Sequence, residues 1–272
     1  MAEINAKDVM ALRNETGLPM MACKKALTEA GGDKDKAIEI LRKEMKGKMD
    51  TKLDRAAGEG RVAVKVDGSA AAIVELRAET DFTAKNDNFI RTAEKLAELA
   101  LKAPAGAIEP TDEMRAAVDE IRAQTGENIS IARAHKVEGD SAAKYGSYVH
   151  HDGKTGVLVQ VHGNVADDVL RQICMHITAA VPRPQGVRPD DVPQAAVEKE
   201  RRFRLEQAME SGKPKEIAEK IVEGGMRKFF EEIALNEQPF IMEPSKKIKD
   251  LVGGDNVIAA FYRWQVGEEK PA

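Results

Sequence analysis

The chain has 272 residues, of which 42% are hydrophobic and 32% charged, and this balance excludes a disordered or collagen-like protein. Because 42 basic residues stand against 46 acidic ones and aromatic residues make up only 4% of the chain, direct binding of nucleic acid is disfavoured. The apolar runs are far shorter than the ~20 residues that a membrane-spanning helix needs, so we expect no membrane partner.

The first predicted element is a module of three short helices over residues 5–44. Asn5 can cap the first helix, and Gly17 can end it. Pro19 suits the first turn of the second helix, and Asp33 can cap the third. Since a unit of about forty residues buries little apolar surface, the module is either marginally stable or presents an apolar face to a partner.

Leu18, Met20 and Met21 lie in the turn between the first two helices and are candidates for that face. The alternative is that the methionines fill the small core, and on the residues alone this alternative is preferred. A basic run interleaved with acidic residues comes after the third helix and predicts a solvated linker. Its basic members are Lys43, Lys46, Lys48, Lys52, Arg55 and Arg61.

A strand hairpin and a helix are predicted next. Residues 62–66 and 72–76 are predicted strands, joined by a turn at Asp67-Gly68. A helix with apolar residues at helical spacing follows, and either Asn86 or Asp87 can cap it.

Phe82 lies in the polar loop between that hairpin and that helix, within the segment Thr80-Asp81-Phe82-Thr83. An aromatic ring is costly to leave in water unless something buries it. On the residues alone two interpretations stay open. Either Phe82 packs against the start of the helix, as an apolar residue before an N-cap often does, or the ring is held out for a partner.

The order of strand, turn, strand and helix is repeated in the second half of the chain. There, residues 148–150 and 157–161 are predicted strands around a turn at Asp152-Gly153, and a helix follows over residues 167–177. Between the two repeats lie a predicted helix at 114–121 and a predicted strand at 128–137. The repeat predicts two related α+β halves.

Closely spaced prolines between residues 181 and 189 end the predicted helix at 167–177, because proline cannot continue a helix. They also open an insertion. Two amphipathic helices flank residues 211–214 and predict an antiparallel helical hairpin, whose apolar stripe commonly meets another chain. Phe229, Phe230 and Ile233, and after them residues 257–261, are predicted to return to the core. The predicted fold class is α+β: a three-helix module, two halves of antiparallel strands and helices, and the inserted hairpin.

The sequence carries no arrangement of residues for covalent or acid-base catalysis. We therefore expect that the protein is not an enzyme and that it binds neither a metal nor a cofactor. Gly153-Lys154-Thr155 resembles the end of a phosphate-binding loop, but Tyr148 stands where the first glycine is required. Cys174 and His176 are two positions apart on a helix and point to different faces, which does not suit metal binding.

Cys23 and Cys174 are the only cysteines, and each lies in a helical pattern, which predicts reduced and buried thiols. No basic segment followed by an apolar core opens the chain. Both observations predict a protein of the cytoplasm.

A set of ordered blocks, spread over nearly the whole chain, closely resembles the bacterial elongation factor Ts family. The blocks are LRNETG (12–17) followed by MMACKKAL (20–27), TDFTAKNDNFI (80–90), GENISI (126–131), GVLV (156–159), MHI (175–177), SGKPKEI (211–217) with EK (219–220), and QPFIM (238–242).

That family releases guanine nucleotide from the translation GTPase elongation factor Tu, so the resemblance implies the GDP-bound form of elongation factor Tu as the partner. By resemblance, Asp81 and Phe82, within the segment 80–83, intrude beside the magnesium site of the GTPase domain and help to dislodge the ion. His150, on the matching turn of the second half, resembles the family histidine that presses on the same domain. Without the resemblance, His150 is an ordinary exposed turn histidine.

The resemblance also implies a domain organisation. Residues 1–54 resemble the ubiquitin-associated-like module and linker of the family, and Arg13, Met20 and Met21 lie in its most recognisable stretch, which implies that they dock on the GTPase domain. The domains implied are 55–140 for the first core half, 141–181 with 229–267 for the second, and 182–228 for the coiled-coil protrusion. The two halves resemble a dimerisation domain, which implies self-association through the core or a two-plus-two complex.

Two features depart from the family. Thr83 stands where members usually carry valine, and this affects the local packing more than the role of the loop. The chain stops at Ala272, whereas some members continue into a C-terminal helix that touches the GTPase, so we expect that contact to be absent.

Two other classes of function stay open on the residues alone. A non-catalytic scaffold or chaperone-like binding protein of the translation apparatus would form a complex and leave the release of GDP unchanged. An RNA-binding protein that used the basic linker would bind with a steep salt dependence, and the acidic charge balance makes this class the least favoured.

Overall fold

A computed structural model describes residues 4–50, 54–210 and 215–268. These residues form two compact units. The first unit contains residues 4–50, 54–65, 72–136 and 265–268, and the second contains 66–71, 137–210 and 215–264. The predicted α+β class is confirmed, with antiparallel strand pairs and helices in the same chain. Across the described residues, no helix is both long and apolar enough to cross a membrane.

The N-terminal module consists of three helices, as predicted: α1 (Ala6–Thr16), α2 (Met20–Glu29) and α3 (Lys34–Asp50). The predicted N-caps are confirmed, because Asn5 accepts a hydrogen bond from the backbone N–H of Asp8 at 2.9 Å and Asp33 accepts one from Lys36 at 3.1 Å. Gly17 ends α1 with a φ of 68°, a left-handed conformation that favours glycine.

The three helices enclose a small apolar core centred on Leu12, Leu27 and Leu41. The third helix is longer than expected and continues to Asp50, into the stretch that was predicted to be a linker. Residues 43–50 contain several lysines, a glutamate and two methionines, which are good helix formers, and the linker prediction considered only their charge. The side chains of Lys46 and Lys48, and all of Lys52, lie outside the described residues.

A four-stranded sheet follows with the order β1-β2-β4-β3. Its strands are β1 (Glu59–Asp67), β2 (Ala70–Ala78), β3 (Gly106–Ala107) and β4 (Ser130–Glu138). Three helices accompany the sheet: α4 (Asp81–Ala84), α5 (Asp87–Ala100) and α6 (Asp112–Thr125). Asn86 is the cap of α5, since it accepts from the N–H of Asn88 at 2.8 Å. The predicted apolar stripe of α5 is buried together with Leu76 and Met114.

The second unit contains a three-stranded sheet with the order β5-β6-β9. Its strands are β5 (Ala143–Val149), β6 (Thr155–His162) and β9 (Val257–Gln265). Helix α7 (Asp167–Ala179) packs on β5 and β6 through Leu170, Ile173 and Ile177. The strand, turn, strand and helix order predicted for both halves is therefore confirmed.

The inserted hairpin consists of α8 (Gln194–Glu210) and α9 (Lys215–Ile233), which pack together through Ala208, Ala218 and Val222. Residues 211–214, the predicted connection, lie outside the described residues. Phe229 and Phe230 do not start a return to the core as predicted. They lie inside α9 and pack at the base of the hairpin, because the helix continues past residue 228 without a break.

Short elements without a sequence signal complete the second unit. They are the 3-10 turns Pro189–Asp191 and Leu235–Glu237, strands β7 (Pro239–Phe240) and β8 (Glu243–Lys247), and helix α10 (Ile248–Val252). Each contains five residues or fewer, too few for a hydrophobic period to be recognised.

Candidate functional site

The segment 80–83 forms a single helical turn, α4, between β2 and α5. Thr80 is its N-cap, with its hydroxyl oxygen 3.3 Å from the N–H of Thr83. Phe82 is the second residue of this turn, and this residue is 85% exposed. Of the two interpretations of Phe82, packing against the helix start is wrong. The buried ring at the start of α5 is Phe89, which is fully covered by the core of the first unit.

Glu127 holds α4 in place through four hydrogen bonds. Its Oε2 accepts from the backbone N–H groups of Glu79 and Thr80, each at 3.1 Å. Its Oε1 accepts from the hydroxyl of Thr80 at 2.6 Å and from the hydroxyl of Thr83 at 2.7 Å. The side chains of Thr80 and Thr83 are therefore turned toward their own molecule, and Thr83 is only 9% exposed.

The position of Glu127 is itself fixed by the end of α6. Gly126 ends that helix with a φ of 72°, and its N–H donates to the carbonyl of Arg122 at 2.8 Å. The N–H of Asn128 donates to the Glu79 carboxylate at 2.6 Å. Each of the segments 79–83 and 127–128 therefore provides a carboxylate that accepts hydrogen bonds from the other. Sequence reasoning missed Glu127, although it follows a helix-ending glycine inside one of the resembling blocks.

The hydroxyl of Thr83 has a structural role at a position where the resemblance implies valine. A valine at this position would fill a similar volume but could not donate to the Glu127 carboxylate. The hydroxyl therefore adds a hydrogen bond to the anchor of α4 without exposing more of the side chain.

Asp81 forms an ion pair with Lys85 across one helical turn, with Oδ2 2.6 Å from Nζ. The hydrogen bond from Lys85 lowers the pKa of Asp81 below its usual range. Both side chains are largely open to solvent, so the pair is weak and a partner can replace it at little cost. Phe82 thus lies beside a carboxylate that is charged at neutral pH.

The N-terminal module exposes two of the three apolar residues predicted for its partner face. Met21 is 73% exposed and Met20 is 50% exposed, so the interpretation that these methionines fill the core is wrong. Leu18 is the exception, because it is buried in the module core, where its carbonyl accepts from the thiol of Cys23. Arg13 is exposed on α1 and its guanidinium lies 3.4 Å from the side chain of Asn14.

His150 lies in the turn between β5 and β6, in the second unit. Its backbone N–H donates to the carbonyl of Thr155 at 2.8 Å, and its Nδ1 is 3.1 Å from the hydroxyl of Tyr148. The ring of His151 lies beside it, with a centroid distance of 4.3 Å. The imidazole of His150 is partly exposed and its orientation is set by Tyr148.

Residues that would hold a metal ion do not come together in the described part of the chain. None of its histidine, cysteine, aspartate and glutamate side chains form a group of three or more suited to a metal ion. Gly153-Lys154-Thr155 lies in the β5–β6 turn and the start of β6, as predicted, rather than at the start of a helix.

Known proteins match this chain over most of its length. A family model described as "Elongation factor TS" matches residues 79–268. Proteins named elongation factor Ts from Salmonella gallinarum and Citrobacter koseri are 44% and 43% identical to the chain, and each match covers 98% of the chain and 93% of the relative. The one from Salmonella typhi is 43% identical with the same coverage. This chain therefore belongs to the elongation factor Ts family.

Proposed function

We propose that this protein is a guanine-nucleotide exchange factor for elongation factor Tu. It binds elongation factor Tu and promotes the release of GDP. Membership of the elongation factor Ts family supports this function. The single structural observation that carries it is that Phe82 is 85% exposed on a turn that Glu127 anchors. A large apolar side chain that is held in water by its own molecule is suited to a pocket on another protein.

The exchange reaction requires binding energy and no covalent step, so the protein is not an enzyme in the chemical sense and uses no cofactor. Burial of a phenylalanine side chain contributes about 1.5–3 kcal/mol. If the pocket that receives the ring is open only when the magnesium and phosphate site of the GTPase is disturbed, this energy favours the nucleotide-free state. Linkage then requires that exchange factor and GDP weaken each other's binding by the same factor.

The candidate residues have different roles in this proposal. Phe82 and Asp81 enter the GTPase domain, with the Asp81 carboxylate leaving Lys85 for a donor on the partner. Thr80 and Thr83 hold the turn through Glu127 and touch the partner only with exposed atoms. Met20, Met21 and Arg13 form a second contact surface on the N-terminal module, and His150 forms a third in the second unit.

We also propose the domain division given by the resemblance, with 1–54 as the module and 182–228 as the protrusion; the last turn of α9, which ends at Ile233, then forms the base of the protrusion in the second core half. Self-association through the core, or a complex with two copies of each protein, stays part of this proposal. We propose the cytoplasm as its location, with no direct contact to nucleic acid or membrane.

The test is a stopped-flow measurement of GDP release. Elongation factor Tu loaded with a fluorescent GDP analogue is mixed with excess unlabelled GDP and increasing amounts of this protein. We expect the release rate to rise with concentration and to saturate. A stable complex on size-exclusion chromatography with an unchanged release rate would instead establish the scaffold alternative and overturn the exchange function.

A further inference from the structure

Glu127 lies in the link between α6 and β4, and its carboxylate accepts four hydrogen bonds from the β2–α4 junction. We propose that Glu127 is a positioning residue for nucleotide exchange: it holds α4 in the conformation that presents Phe82. This inference rests on the proposed function, and it adds a residue that need not touch the partner.

Neither the short helix α4 nor packing of the Phe82 ring fixes the orientation of that ring. A helix of four residues is not stable in isolation, because nucleating one turn fixes several dihedral angles for one hydrogen bond. Phe82 is 85% exposed, so packing against its own molecule does not orient the ring. The backbone of α4 must therefore be fixed by the residues on either side of the ring, and these are Thr80 and Thr83.

Glu127 binds both of those residues through one oxygen. Its Oε1 is 2.6 Å from the hydroxyl of Thr80 and 2.7 Å from the hydroxyl of Thr83, while its Oε2 holds the backbone of Glu79 and Thr80. A carboxylate can accept at both oxygens at once, and hydrogen bonds to a charged acceptor are stronger than neutral ones. Loss of the carboxylate leaves two backbone N–H groups and two hydroxyls without this acceptor.

The chemistry of the contact predicts which substitutions are tolerated. In Glu127→Gln, the amide oxygen can accept from the two backbone N–H groups, while the amide NH₂ can donate to the two threonine hydroxyls, which are also acceptors. In Glu127→Ala, neither set of partners is replaced. A positioning role therefore predicts that Gln retains much of the exchange activity and Ala does not.

The experiment measures accelerated GDP release at saturating concentrations of each variant, together with amide hydrogen exchange of residues 79–85 in the free protein. For Glu127→Ala we expect about a tenfold loss of the acceleration and about a tenfold faster exchange of these amides, the factor that corresponds to one charged hydrogen bond. Glu127→Gln should lie within about threefold of the wild type in both measurements.

A double-mutant cycle separates positioning from general stability. If Glu127 acts through the ring, adding Glu127→Ala to Phe82→Ala should cause little further loss, whereas two independent effects would multiply. Multiplying effects, or an unchanged acceleration in Glu127→Ala, would overturn the inference. The proposed function would survive that result, because it fails only if the wild-type protein leaves GDP release unchanged.

Thr80→Val keeps the test decisive if Glu127→Ala does not fold. This change removes the hydroxyl that donates to Oε1 of Glu127 and preserves the side-chain shape, so it should weaken exchange by a few fold. Thr178→Val is the matched control, because its hydroxyl donates to the carbonyl of Cys174 at 2.9 Å in α7 of the second unit. Equal effects of the two substitutions on GDP release would contradict the positioning role.

Discussion

Phe82 and Phe89 lie on consecutive helices of one segment, yet Phe82 is 85% exposed while Phe89 is completely buried. Phe89 belongs to the apolar stripe of α5 and fills the core of the first unit. Phe82 lies on a turn whose inward contacts come from Thr80 and Thr83. Phe89 therefore stabilises the fold, whereas Phe82 contributes little to it.

Replacement of Phe82 by alanine tests this division. Because the ring is largely in water, we expect the free energy of unfolding to change by less than about 0.5 kcal/mol. We expect the acceleration of GDP release to fall at least about tenfold, since the burial energy of the ring is lost from the complex. Thermal unfolding and stopped-flow release measure the two effects.

The matched control for Phe82→Ala is Val257→Ala, which truncates another exposed apolar side chain at the start of β9. It should leave both unfolding and GDP release close to the wild type. A large loss of stability in Phe82→Ala, with normal exchange at low temperature, would show instead that the ring supports the fold.

Met21 on the N-terminal module gives a second test. Met21→Glu should leave the free energy of unfolding within about 0.5 kcal/mol of the wild type, because the side chain is 73% exposed. At an apolar contact the new carboxylate would lose its hydration without gaining a partner, so the concentration for half-maximal exchange should rise about tenfold or more.

Met242→Glu is the control for that substitution, since Met242 is also an exposed methionine but lies in the second unit, outside the proposed contact. If Met242→Glu and Met21→Glu raise the half-maximal concentration equally, the effect is one of net charge and not of a specific surface. Wild-type behaviour of Met21→Glu would remove the module from the contact.

Local features of the fold could be predicted from the sequence because their causes lie within a few residues. Asn5 and Asp33 cap helices through the third backbone N–H that follows them, and the burial of the α5 stripe follows from its helical spacing. These patterns need no knowledge of the rest of the chain.

The anchor of the candidate site could not be predicted in this way. Glu127 is 47 positions from Thr80 and 44 from Thr83, and they meet because β2 and β4 are neighbours in the sheet. Strand order follows from the packing of the whole unit and not from any local pattern. For the same reason, spacing alone could not tell that Leu18 is buried while Met21 is exposed.

His176 predicts a pH dependence of stability in the second unit. Its Nε2 is 3.0 Å from the side-chain oxygen of Gln238, and its Nδ1 accepts from the N–H of Ile241 at 3.3 Å, so the buried ring is neutral. Burial lowers the pKa of His176 below its usual value of 6.5, and the hydrogen bond with Gln238 acts in the opposite direction.

The sign of that dependence follows from proton linkage. Below pH 6.5 the unfolded chain binds a proton at His176 that the folded chain does not, so stability should fall as the pH drops toward the lowered folded pKa. His135, whose pKa is also lowered by burial, predicts a trend of the same sign for the first unit. The free energy of unfolding, measured in urea between pH 5 and pH 8, should therefore change less with pH in His176→Asn than in the wild type. The same change with pH in both proteins would contradict the role of His176 in this dependence.

Cys174 should be chemically inert in the folded protein. Burial raises the pKa of its thiol to about 12, so at pH 8 only about one molecule in ten thousand carries the reactive thiolate. We expect iodoacetamide to leave Cys174 unmodified in native protein and to alkylate it fully in urea, as peptide mass spectrometry would detect. Cys23 is equally buried in the first unit, so its alkylation in the same samples is compared with that of Cys174. Rapid native alkylation of Cys174 alone would mean that α7 separates from its sheet while the N-terminal module stays folded.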